Sequence, residues 1–193
     1  MGGYFVEGAD VLENKLGIDD PVRLKKIETE IVYARMIELT RETYDGEFNF
    51  RLLKHFHYCL FSDIYYMAGQ VRTVRIAKGN SVFCYPENIE QQQRRIFGKL
   101  KEACYLRGLA REEFLEKFAD LAGELNALHP FREGNGRTIK LFLYKLAQSA
   151  GWHIDYGAID ASELMEADIA AFYGDPKKLM KLIDKNLCPW EKK

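Results

Sequence analysis

Residues 111–147 read REEFLEKFADLAGELNALHPFREGNGRTIKLFLYKLA, and the rest of the chain is best understood outward from them. In the first half, Phe114, Phe118, Leu121, Leu125 and Leu128 recur every three or four positions, the apolar stripe of an amphipathic helix. The stripe stops at His129-Pro130, because a residue before proline is pushed out of helical geometry. After a short loop, Ile139 to Ala147 is apolar almost all round (Ile139, Leu141, Phe142, Leu143, Leu146), which predicts a helix at the centre of a core.

The flanks continue the helical theme. Asp20-Pro21 reads as an N-cap with proline in the first turn, opening a helix whose expected inner face is Leu24, Ile27, Ile31 and Ala34. A second, aromatic-rich helix is expected from about Phe50 to Met67, ending near Gly69. The pattern then switches: residues 71–76 alternate apolar and polar, Lys78-Gly79-Asn80-Ser81 reads as a turn, and residues 82–85 can return as a second strand. Pro86 opens another helix with Ile89, Ile96, Leu100 and Ala103 on one side, and two shorter helices follow near 161–172 and 176–186. The sum is a single all-α domain, 1–193, of about six to eight helices with one β-hairpin at about 71–85 and a core of about 50–175.

Composition narrows the function classes. Lys and Arg total 28 against 29 Asp and Glu, a net charge of -1, so nothing resembles a nucleic-acid footprint. No apolar run approaches the roughly 18 residues of a membrane span, and the start lacks a signal-peptide pattern. Cys59, Cys84, Cys104 and Cys188 are widely spread, without metal-ligand spacing; buried free thiols in the reducing cytoplasm are the plain reading.

The loop at 129–138 carries chemistry. Gly134-Asn135-Gly136 leads into a helix N-terminus, where backbone N–H groups lack internal partners and the helix dipole adds positive potential, an anion site. Arg137 in the first turn can grip phosphate oxygens bidentately. A carboxylate, Glu133, beside an anion site makes sense if Mg²⁺ bridges it to phosphates. His129 is the nearby side chain suited to taking a proton near neutral pH. Together these point to phosphoryl or nucleotidyl transfer. For each residue taken singly the bland reading competes: a helix-ending histidine, tight-turn glycines, a solvated loop carboxylate. Arg132 reads as a surface charge, His55 and His57 as packing or hydrogen-bonding residues, and His153 has no assigned role.

Residues 129–140 resemble the signature of the Fic family, His-x-Phe-x-(Asp/Glu)-Gly-Asn-Gly-Arg-x-x-Arg, at every fixed position except the last, where Lys140 stands in place of arginine. Residues 69–79 also resemble the family's hairpin, the flap. The resemblance implies a protein adenylyltransferase that moves AMP from ATP, with Mg²⁺, onto a hydroxyl side chain of a protein target. It implies His129 as general base, Phe131 pinning the loop into the core, and Glu133 holding Mg²⁺. Gly134, Asn135 and Gly136 would receive the α-phosphate, and Arg137 and Lys140 the outer phosphates. The flap, Lys78, Gly79, Asn80, Ser81, Val82 and Phe83, would add a strand to an extended target segment. Lys140 keeps the charge but loses the planar fork, weakening the expected grip on the γ-phosphate.

Two other readings compete: a phosphotransferase, which the glycine at 136 argues against, and an inactive binding module, which the retained His129, Glu133, Asn135 and Arg137 argue against. The family's inhibitory pattern (Ser or Thr, three residues, Glu, then Gly or Asn) has only near matches at Thr43–Glu47 and Ser162–Glu166, read as coincidences. The resemblance therefore implies a toxin held by a small antitoxin-type protein, with type II topoisomerase subunits as the candidate targets.

Overall fold

The computed structural model describes residues 4–6, 8, 10–79 and 81–190. Helix α1 (Pro21–Arg41) starts as the sequence requires: the Asp20 carboxylate accepts from the Arg23 N–H at 2.6 Å, and Pro21 fills a first-turn position whose N–H has no helical partner. Its buried row is Leu24, Glu28 and Val32 rather than the face expected; Ile27 and Ile31 are half-buried and Ala34 is exposed. These three positions are spaced i, i+4, i+8 and so form one line along the helix. An acid in the middle of that line is unusual, and its partners are Lys25, Tyr65 and Arg137.

Helix α2 (Phe50–Phe61) is capped by Asn49 and ends earlier than expected. The carbonyls of Ser62 and Ile64, which a longer helix would use internally, instead accept from the Lys15 ammonium and the Lys15 N–H, each at 2.7 Å. The chain from 62 to 69 runs on in turns that still bury Ile64 and Tyr65. The hairpin is also shorter than expected. Only β1 (Ala77–Lys78) and β2 (Ser81–Val82) pair, with Ala77 opposite Val82 and Lys78 opposite Ser81, and Asn80 lies outside the described residues. Residues 71–76 form no ladder, and the polar Arg72 is the most deeply buried of them.

Helix α3 (Pro86–Glu102) buries Ile89, Ile96 and Leu100 as expected, with Ala103 packed at their margin. Helices α4 (Arg111–Leu128) and α5 (Asn135–Ser149) enclose the loop, and α5 is the centre of the core. The Phe142 ring of α5 meets Phe48, Phe56 of α2 and Phe97 of α3 at centroid distances of 5.5, 6.5 and 5.7 Å, all edge-on. Each such pair adds about 0.5–1.5 kcal/mol to the burial of its area.

A second small sheet was not foreseen. Strand β3 (Trp152–Ile154) pairs antiparallel with β4 (Leu187–Pro189), and α6 (Ala161–Phe172) and α7 (Lys177–Lys185) lie between them in sequence. Among the described residues the architecture is seven α-helices and two two-stranded sheets, and no helix there is long and apolar enough to cross a membrane. All four cysteines are free, but none is buried: Cys104 and Cys188 are exposed, and Cys59 and Cys84 half-buried.

Candidate functional site

His129 ends α4 in the left-handed region, at φ 43°. Its Nδ1 lies 3.1 Å from the Asn126 carbonyl, which can only accept, so Nδ1 carries the proton and Nε2 presents a bare lone pair. Burial, with the nearby charges of Arg72 and Lys78, depresses the imidazole to about 4, so it stands neutral at physiological pH. The site therefore holds a base in its proton-accepting form.

The loop is fastened from below. Phe131 is fully buried and stacks on His57, centroids 3.9 Å apart. His57 Nδ1 accepts from the Gly69 N–H at 2.8 Å, which leaves Nε2–H to donate to the Glu133 carbonyl at 3.0 Å. The Asn135 side chain clasps Phe131 with both ends: Oδ1 accepts from its N–H at 2.9 Å, and Nδ2 donates to its carbonyl at 2.8 Å. The Asn135 amide is thus committed to the loop itself. Arg132, expected on the surface, is half-buried, its guanidinium 5.0 Å from the Phe5 ring centroid.

Gly134 caps α5 with φ 76°, and a Cβ there would meet the Phe61 ring at 2.3 Å, so both conformation and space demand glycine. Gly136 is different: its φ is not left-handed and a Cβ would meet open space. Its missing side chain leaves room above the first turn of α5, where no side chain caps the N-terminus. The Gly134 N–H is met at 3.0 Å by the Glu133 carboxylate.

Arg137 reaches Glu133 at 3.4 Å and, more closely, Glu28 of α1 at 2.8 Å. Glu28 is 3% exposed and also accepts from the Tyr65 hydroxyl. Burial alone would raise its pKa, but Arg137, Tyr65 and Lys25 together hold it below the usual carboxylate range. Glu28 was missed as a site residue. It stands in register with Leu24 and Val32, but the inner face expected from the sequence was Leu24, Ile27, Ile31 and Ala34, which leaves Glu28 on the outside. Lys140 lies one turn on from Arg137, its ammonium 5.3 Å from the Tyr156 ring centroid and facing the charge of Asp168 on α6. They share the wall of a cavity of about 30 Å³ with Gly136 and Asn126. A larger cavity of about 670 Å³, between α3, α4 and the end of α6, includes none of the signature residues.

In the flap, Lys78, Gly79 and Val82 are exposed, Val82 at 58%, leaving an edge open to another chain. Phe83 is committed elsewhere. Its ring lies flat over His129, centroids 3.7 Å apart and 14° between planes, and meets Phe172 edge-on at 5.7 Å.

A bare imidazole nitrogen, a loop carboxylate and an uncapped helix N-terminus lie together beneath a short β-flap in a helical domain. The chain belongs to the Fic/DOC family, which it matches over residues 47–147. It is 42% identical over 177 residues to the protein adenylyltransferase VbhT of Bartonella schoenbuchensis, covering 92% of this chain but 37% of that protein. It is 38% identical to a probable protein adenylyltransferase, y4lH, of Sinorhizobium fredii, covering 87% of this chain and 86% of that one. Among solved structures it resembles the N-terminal Fic domain of a Bartonella quintana effector with bound ADP: TM-score 0.91, 28% identity, 97% of this chain and 95% of that one. It also resembles BepC of Bartonella tribocorum with bound AMPPNP: TM-score 0.88, 27% identity, 97% of both chains.

Proposed function

We infer that the chain is a protein adenylyltransferase, moving AMP from ATP to the hydroxyl of a Ser, Thr or Tyr on a target protein. The observation that carries this is His129, neutral and with Nε2 free, at the mouth of a loop that leads into an uncapped helix N-terminus. Nε2 takes the hydroxyl proton as that oxygen bonds to the α-phosphorus. The bond from the α-phosphorus to the bridging oxygen breaks, and pyrophosphate leaves. First-turn N–H groups of α5 face the charge gathering on the α-phosphate, and Arg137 and Lys140 the outer phosphates.

Magnesium fits the donor set: Glu133 is a single, partly exposed carboxylate, suited to an ion that arrives with the nucleotide and keeps phosphate and water ligands. When bound it would neutralise phosphate charge. Glu133→Ala should accordingly abolish the dependence of ATP affinity on magnesium; calorimetry that still shows the wild-type magnesium effect in this variant would place the ion elsewhere.

The substrate side of the reading is a cytoplasmic protein met at the flap edge, with type II topoisomerase subunits as candidates and a small antitoxin-type protein as inhibitor. Incubation of the purified protein and such subunits with ATP labelled at the α- or the γ-phosphate tests the reaction. Transfer of α-label alone supports adenylylation, γ-label alone would make this a phosphotransferase, and neither, even in a whole bacterial lysate, would leave a binding module.

A further inference from the structure

We propose that Arg72 is a positioning residue for this reaction: its guanidinium locks the two legs of the flap onto the backbone of His129. Arg72 is 2% exposed, the largest fully buried side chain among the described residues, where the hydrogen-bond partners of its guanidinium are backbone carbonyls. Nε donates to the His129 carbonyl at 2.8 Å, and Nη2 lies 3.5 Å from that of Leu128. These are carbonyls left without helical partners at the end of α4, where the helix dipole also favours a cation. Nη1 donates to the Val74 carbonyl at 2.7 Å and Nη2 to that of Cys84. Val74 precedes β1 and Cys84 follows β2, so one planar group spans both legs of the flap and the catalytic turn. Two backbone bonds run alongside: Arg72 N–H to the Pro130 carbonyl and Cys84 N–H to the Ala127 carbonyl, each at 2.9 Å.

The arrangement does what packing alone would not. His129 is a non-glycine residue in left-handed geometry, which survives only where its surroundings over-determine it. The Arg72–carbonyl bond and the Phe83 ring hold it from two sides. Among the described residues this buried guanidinium has no carboxylate partner, which is costly, and its own pKa is lowered by burial. A fully apolar residue would avoid that cost but could not satisfy four carbonyls, and lysine lacks the fixed fork that meets them in different directions. The charge adds a second effect: with Lys78 it faces His129, alongside the neutral Asn126 carbonyl and Phe83 ring, and favours the unprotonated imidazole.

The proposal rests on His129 as the base, so its test includes readouts that need no catalysis. Arg72→Lys and Arg72→Met are compared with wild type for thermal unfolding, for His129 imidazole titration by NMR, and for steady-state adenylylation. Arg72→Lys should stay folded yet lose at least tenfold in kcat and raise the KM for the protein target, with the KM for ATP within twofold. The ring-current shift that Phe83 imposes on His129 should shrink in both variants, and in Arg72→Met the His129 titration should move up toward the ordinary histidine value. If wild type proves inactive, the ring-current and titration changes alone decide. A lysine variant with wild-type kcat and an unmoved His129 resonance overturns the proposal. So does a loss that tracks only unfolding, or failure of both variants to fold, since either makes Arg72 purely structural.

Discussion

His129 is poised by two independent causes, a carbonyl that fixes which nitrogen holds the proton and a buried, cation-flanked setting that keeps the other bare. Initial rates should therefore stay level as pH falls from 8 to 6, where an ordinary histidine would already be mostly protonated. A halving of kcat/KM centred near 6.5 would contradict the depressed value of about 4. His129→Ala should cost about two to four orders of magnitude in transfer while ATP still binds. Lys140 faces Asp168 across a cavity of about 30 Å³. A guanidinium there can pair with that carboxylate and still present a second edge to phosphate, so Lys140→Arg should lower the KM for ATP about threefold to tenfold, one added charge-assisted bond. A raised KM in steady-state titrations of both proteins would mean that the pocket is fitted to lysine. The signature residues were legible because glycine, asparagine and charge at fixed spacing have few alternative uses. Glu28 was not, since Lys25-Lys26-Ile27-Glu28-Thr29-Glu30 reads as a solvated run until Tyr65 and Arg137 arrive from elsewhere in the chain.

At the level of elements, local pattern predicted what local forces determine. The bounds of α4 and α6 follow from apolar stripes with a proline stop or an Asp160 cap, whose carboxylate accepts from the Ser162 and Glu163 N–H groups. Two of the misses were non-local: past Phe61 the carbonyls of Ser62 and Ile64 are taken by Lys15, and β3 found a partner beyond two helices, neither of which a sliding window can see. The α4–α6 contact is another such case. Gly123 looks like a flaw inside a strong helix, yet a Cβ there would lie 2.5 Å from the Ala171 carbonyl oxygen. Its absence lets the two backbones touch and sets Phe172 against Phe83 and Tyr173 against Ser81, 3.1 Å between hydroxyls. Gly123→Val should destabilise the fold by about 2–4 kcal/mol, as overpacking and backbone shift combine. It should also loosen the flap, seen as faster amide exchange at Phe83. A variant as stable as wild type in urea would show that α6 can slide away freely.

For the molecule as a whole, α1 is tied to the central helix at two points: Glu28 to Arg137, and the buried Lys145 ammonium to the carbonyls of Thr40, at 3.0 Å, and Glu42. The same burial that builds the site loads the fold with groups that resist charging. His57 and His129 are both depressed from 6.5 to about 4, so between those values the unfolded chain binds more protons and stability falls with pH. Asp168 opposes them, since burial raises it from 3.8 to about 6 and the folded state keeps its proton in that window. Two histidines outweigh one aspartate, while Glu28, held below 4.5, stays ionised across this window and takes no part. The net expectation is a decline on the order of 2–3 kcal/mol from pH 7 to pH 5, with the histidines supplying more than the whole of it and Asp168 returning part. Urea midpoints at the two pH values, at constant ionic strength, measure it. His57→Phe removes one titrating ring while keeping the stack on Phe131, so its decline should be about half or less of the wild-type decline even if the variant starts out less stable. A wild-type midpoint that does not move between pH 7 and 5 would mean that these rings charge in place, through water reaching a loop that the packing of Phe131 and Phe83 otherwise keeps dry.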